Sequence, residues 1–213
     1  MNMRTKLLFL LSILSIQLLV AQDAKSILDK VSSTYNQNNG FVLSFTIKTE
    51  DTKAKMTYSH DGKAYIKGDK FKIEVPDGTT WFDGKTQWVY MSGSDEVNVS
   101  NPTGEELTAI SPVALLNIYK SGFKLNSKGT KTEKGKTVYV IEMIPQKKNS
   151  EVTKFLLNID KATNYLTAVT LYQKDKVNNH LIINNTQKAS GLTDNSFVFN
   201  KKEYPNVEVI DLR

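Results

Sequence analysis

Thr103-Gly-Glu-Glu-Leu-Thr-Ala-Ile-Ser-Pro-Val-Ala-Leu-Leu-Asn-Ile-Tyr119 is a short apolar passage with helical signals, set between runs that alternate with a period of two. Glu105 and Glu106 follow Pro102, where negative charge meets the positive end of a helix dipole. Ser111-Pro112 restarts the helix as N-cap and first-turn proline, and Gly122 closes it in the manner of a C-cap. Upstream, Asp61-Gly62, Asp77-Gly78 and Asp83-Gly84 signal hairpin turns. The order predicts a sheet with a helical segment laid across one face, and a face built to hold apolar matter.

The flanking pattern supports a sheet with two unlike faces. Phe41, Leu43, Phe45 and Ile47 alternate with Val42, Ser44, Thr46 and Lys48, and Phe71, Ile73 and Val75 alternate with Lys70, Lys72 and Glu74. One face apolar and the other wet is an antiparallel habit. Trp81 to Tyr90 reads as a hairpin around Asp83-Gly84, with a shorter strand at Val97–Val99. Further strands are expected at 123–125, 138–144, 154–159, 165–173, 180–184 and 197–199. Before them, Ala24, Ile27, Leu28, Val31 and Tyr35 share one face of an amphipathic helix that ends by Gly40. Strands at such short spacing suggest a sandwich or barrel-like sheet.

The N-terminus reads as an export signal. Arg4 and Lys6 precede the apolar run Leu7–Val20, and Ala21-Gln22 follows. The run falls short of the roughly 20 residues a membrane span needs. Residues 1–21 are the expected signal peptide and 22–213 a single domain. Cleavage removes Arg4 and Lys6, so the formal charge falls from +6 to +4 and Arg213 becomes the only arginine. Phosphate recognition favours bidentate arginine forks, so nucleic acid is not an expected partner. The chain has no cysteine. An exported protein of this composition has no disulfide framework and no lipid-modified cysteine.

Chemistry-bearing motifs are sparse. His60 and His180 are far apart in sequence, with no spacing that suits a metal site. Ser121-Gly-Phe-Lys124 matches Ser-x-x-Lys, but its companion motifs are missing and Gly122 already has a helix-ending role. Asp61, Glu74, Asp77 and Asp83 fall at turns or on the wet parity of strands. No catalytic residue, cofactor or metal is expected, and the protein is not read as an enzyme. The aromatic residues Phe45, Tyr58, Phe71, Trp81, Trp88 and Tyr90 gather in the first half of the sheet. Together they suggest an apolar concavity, the usual form of a ligand site.

Several stretches, taken in order, resemble the bacterial outer-membrane lipoprotein carrier family, the LolA-like periplasmic carriers. They are Leu28-Asp-Lys-Val-Ser-Ser33, Ala64-Tyr-Ile-Lys-Gly-Asp-Lys-Phe-Lys-Ile73, Asp83-Gly-Lys-Thr-Gln-Trp-Val-Tyr90, Ser111-Pro-Val-Ala-Leu-Leu116, Phe155–Asp160 and Phe197-Val-Phe199. The resemblance implies a mainly β fold, an unclosed antiparallel β-barrel with short helices covering its concave apolar face. It implies a monomeric periplasmic carrier that binds the acyl chains of lipoproteins and shuttles them from the inner to the outer membrane. Its partners would be acylated lipoproteins, an inner-membrane ATP-driven exporter and an outer-membrane acceptor. The alternative is a lipid- or lipoprotein-sensing periplasmic module of the same fold in envelope-stress signalling.

On this reading the acyl cavity is lined by Phe45, Ile47, Met56, Tyr58, Ile66, Phe71, Ile73, Trp81, Trp88 and Tyr90. The lid presents Leu107, Ile110, Val113, Leu116 and Ile118. The arginine that latches the lid in the family falls here on Gly68. A lid held by apolar contact more than by an arginine latch is the resulting expectation.

Overall fold

A computed structural model describes residues 23–36, 40–103, 106–107 and 114–213. The signal segment, Ile110, the Ser111-Pro112 restart and Val113 lie outside the described residues, as does the side chain of Ile118.

Alternation converts into strands almost throughout. The first half contains β1 (Gly40–Asp51), β2 (Met56–Lys67), β3 (Lys70–Val75), β4 (Gly78–Phe82), β5 (Gln87–Met91) and β6 (Glu96–Ser100). The second contains β7 (Phe123–Glu133), β8 (Lys136–Pro145), β9 (Val152–Asp160), β10 (Leu166–Gln173), β11 (Val177–Ala189) and β12 (Glu208–Asp211). Among the described residues they form one sheet in the order β12-β6-β5-β4-β3-β2-β1-β11-β10-β9-β8-β7. Every pairing is antiparallel except that of β12 with β6. Since β12 and β7 are not paired with each other, the sheet is an unclosed barrel.

This order explains the helical interruption. Each half is a meander of neighbouring strands, and β1 pairing with β11 joins the halves. The chain leaves β6 near one end of the sheet and enters β7 at the other. The connection must therefore bridge the two ends, and an apolar segment does so most favourably by burying itself on the apolar face. Leu115, Leu116 and Tyr119, in and just after the short helix Leu115–Ile118, are buried with residues of that face. The N-terminal helix, residues 23–35, places Ala24, Ile27, Leu28, Val31 and Tyr35 in the same cluster.

Two expected features resolve differently. Asp61-Gly62 is not a turn but the middle of β2, opposite Thr46 and Phe45. The real turn is at 52–55, where the Asp51 carboxylate accepts the Lys53 and Ala54 N–H groups at 2.9 and 2.8 Å. Gly62 serves packing instead, since a Cβ there would lie 2.5 Å from Phe45 Cζ and 2.7 Å from the Glu74 carbonyl oxygen. Phe197–Phe199 is not a strand. Asp194–Phe197 forms a single 3₁₀ turn with a reciprocal cap between Thr193 and Ser196, and the last strand comes later, at Glu208–Asp211. Asp77-Gly78 and Asp83-Gly84 do mark the turns expected of them, and Lys134-Gly135 makes the turn between β7 and β8. Lys134 and Gly135 both have positive φ, 48° and 76°.

Candidate functional site

Strand parity makes one continuous apolar surface. Phe41, Leu43 and Phe45 of β1 share a buried cluster with Ala64 and Ile66 of β2, Phe71 of β3 and Phe82 of β4. Across the β1–β11 seam the cluster continues through Leu181, Val169 and Leu166 to Phe155, Leu157, Ile159, Ile141 and Met143. Among the described residues no strand covers this inner face; the N-terminal helix does, together with Leu107, Leu115, Leu116 and Tyr119. Its apolar surface thus spans both halves of the sheet, wider than the first-half aromatics alone indicated.

Each cover segment is anchored by polar groups at its margin. The Tyr35 ring packs 5.0 Å from that of Phe41, and its hydroxyl accepts the Leu166 N–H at 3.3 Å. Burial pushes the Tyr35 phenol up to about 12. Thr103 caps the start of the second segment. Its N–H donates to Glu106 Oε2 at 2.6 Å, and its hydroxyl accepts the Glu106 N–H at 3.5 Å. These reciprocal bonds form a capping box, and they hold the Glu106 carboxyl below its ordinary range. Leu107, half-buried, packs against the inner cluster. At the far end the Tyr119 hydroxyl donates to Asp29 Oδ1 on the N-terminal helix, while Lys25 Nζ donates to Asp29 Oδ2 at 2.8 Å. The hydrogen bonds from Lys25 and Tyr119 lower the Asp29 carboxyl, while burial and the Asp29 charge raise the Tyr119 phenol.

The residues expected to line the cavity separate into three groups. Phe45, Ile66 and Phe71 are buried in the inner cluster, and Ile47 and Ile73 pack at its margin. Met56 and Tyr58 share the inner parity, since β2 pairs them with Asp51 and Thr49 in step with Ile47 and His60. They lie beyond the core at the hairpin tip, 47 % and 55 % exposed. Trp81, Trp88 and Tyr90 occupy the opposite face, in a second cluster with Val97, Phe199, Val207 and Tyr204. The register decides this. Phe71 faces Phe82 with ring centroids 5.1 Å apart, which sends Phe82 inward and its neighbour Trp81 outward. Adjacent Trp-Phe offers two aromatic candidates for one inward position, and period-two reasoning alone does not choose between them.

Of the expected lid residues, Leu107 and Leu116 reach the inner cluster. Leu115 and Tyr119 do so as well and were not anticipated; their spacing of four along a helix was the available signal. Gly68 sits in the β2–β3 turn at φ 63°, with nothing within 4 Å of a built Cβ. His60 and His180 fall on opposite faces of the sheet, since His60 pairs with Ile47 and His180 with the adjacent Lys48. Among the described residues no helix is long and apolar enough to cross a membrane.

A family model described as "Outer membrane lipoprotein carrier protein LolA" matches residues 14–189. No curated protein matches the sequence. Among solved structures, an uncharacterized conserved protein from Thermus thermophilus superposes with a TM-score of 0.61 at 14% identity, covering 89% of this chain and 99% of its own. A candidate outer membrane lipoprotein-sorting protein domain from Vibrio parahaemolyticus gives 0.51 at 14% identity, with 87% and 99% covered. A DUF1329 family protein from Desulfovibrio piger gives 0.52 at 12% identity, with 84% and 97% covered. At these identities the likeness is one of fold.

Proposed function

The chain belongs to the outer membrane lipoprotein carrier family, and from that premise we propose that it carries acylated lipoproteins through the periplasm, from the inner to the outer membrane. Residues 1–21 direct export and are removed. The acyl chains lie on the inner face, where they replace the two helical segments that cover it in the empty protein. The observation that supports this most is the construction of the core itself. One side of it is a broad apolar sheet face, and the other is short helical segments such as Leu115–Ile118 that can leave without breaking a strand pairing.

Magnitudes shape the mechanism. Burial of an acyl chain is worth about 0.8 kcal/mol per CH₂, so a chain of roughly 15 methylenes contributes on the order of 12 kcal/mol. Three such chains would sum to about 36 kcal/mol, above the ceiling of roughly 18–21 kcal/mol for non-covalent affinity. The carrier therefore shields the chains only in part, and also spends some of that burial on displacing Leu115, Leu116 and Tyr119. Loading draws on an ATP-driven exporter, and unloading on an acceptor with equal or better apolar burial. No bond is made or broken, so the role needs no catalytic group. A ligand shifts a cover between two positions only by its preference for one of them, and the acyl chains have that preference because they compete for the same surface.

Native mass spectrometry of the protein purified from the periplasm tests this. A bound acylated polypeptide is the expected result, and protein that is always empty or holds a non-lipid ligand would overturn it.

A further inference from the structure

Besides the edges at its two ends, the sheet has unpaired stretches within it, and one of them is on β2. β2 runs from Met56 to Lys67, but β3 pairs only with Lys63–Lys67. Residues 56–62 therefore have β1 on one side and, among the described residues, no paired strand on the other, Gly62 alone having a β3 carbonyl, that of Glu74, beside it. From Met56 to Ser59 every residue is exposed.

Proteins normally protect such an edge with lysines, proline, a bulge or extreme shortness. The other two edges have these devices. β7 presents Lys124, Lys128 and Lys131 and has a bulge between Ser127 and Thr130, while β12 is four residues long. Residues 56–62 have neither lysine nor proline, and their pairing with β1 is regular. Where β3 stops, a groove of about 620 Å³ opens beside the edge, lined in part by Asp61, Gly62, Glu74, Val75 and Pro76.

We propose that this edge receives the extended polypeptide that follows the acylated residue of a bound lipoprotein, as an added strand; this rests on the carrier reading above. Continuity of the surface identifies the occupant. Met56 and Tyr58 prolong the inner face outward past Ile47, so a chain whose lipid lies on that face leaves it alongside 56–62. An unpaired strand offers alternating N–H and C=O groups, which another backbone satisfies whatever its side chains. A carrier of many different cargoes requires that indifference to sequence. The span is about 23 Å, enough for an extended tether of about seven residues.

Calorimetric titration of the full chain with three probes tests the proposal: a diacylated cysteine peptide with a ten-residue polar tail, the same peptide with alternate tail amides N-methylated, and the diacylated cysteine without a tail. The tailed peptide should bind about tenfold tighter than the other two, a difference that a few net backbone hydrogen bonds supply. It alone should slow amide hydrogen exchange within 56–62. Equal affinity for the tailed and N-methylated peptides overturns the strand addition and leaves acyl binding standing, whereas failure of all three probes to bind overturns the carrier reading and the strand addition with it.

Discussion

The hydroxyl of Tyr119 ties the covering segment to the N-terminal helix through Asp29, and Lys25 completes the contact. Gly68, the position the resemblance equates with a latching arginine, is a turn glycine in open space, and among the described residues the Tyr119–Asp29 pair ties the two covering segments to each other. Asp29 is partly exposed and the bond correspondingly screened, so Tyr119→Phe should cost about 1 kcal/mol in a urea melt and speed acyl loading. The pH dependence follows from direction. The carboxyls of Asp29 and Glu106 are both lowered from ordinary values of 3.8 and 4.5. A depressed carboxyl adds stability that is present above its unfolded pKa and is lost as pH falls through the folded one. The cover should therefore stay closed at neutral pH and loosen below about pH 4, visible as faster amide exchange at 115–120 than in the strands. At Gly62 the constraint is steric. Gly62→Val sets a side chain against Phe45 and a backbone carbonyl, and should destabilise by about 1–3 kcal/mol in the same melt.

Among elements, the β4–β5 hairpin faces two separate apolar clusters, one on each side of the sheet. Phe82 faces the inner cluster, while Trp81 lies outside under Phe199 and Tyr204, at ring distances of 5.5 and 5.8 Å. Trp81→Ala should cost about 3–5 kcal/mol of stability, and leave acyl affinity unchanged in fluorescent-lipid displacement at a temperature where the variant is folded. Leu115→Ala, by contrast, should cost about 2–5 kcal/mol in the empty protein, yet tighten acyl binding, because the cover that must leave is weaker. The hairpin also shows how far local reading extends. Its turn at Asp83-Gly84 and the presence of a strand on each side were legible, but which of Trp81 and Phe82 points inward depends on pairing with Phe71. Asp61-Gly62 failed for the same reason in reverse. Its turn chemistry is sound locally, but Gly62 is there for the Phe45 ring opposite, a partner seventeen residues away that no local pattern reveals.

At the scale of the molecule, connectivity is what makes a container. Two meanders joined at β1–β11 leave β6 and β7 at opposite ends, and the segment linking them has to cross. That this link lies on the apolar face, as Leu107, Leu115, Leu116 and Tyr119 do, was readable from its apolar helical character between strands. The breadth of the face beneath it was less so, because Ile141, Met143, Phe155, Leu157 and Ile159 join the first-half residues only once the sheet curls. The central claim is that acyl chains occupy this inner face and not the outer cluster. Methyl NMR with a doxyl-labelled diacyl peptide tests it most directly, because paramagnetic broadening reports proximity residue by residue. Leu43, Ile66, Ile141 and Leu157 methyls should broaden while those of Val97 and Val207 stay sharp; broadening confined to Val97 and Val207, or none at saturation, would contradict the account.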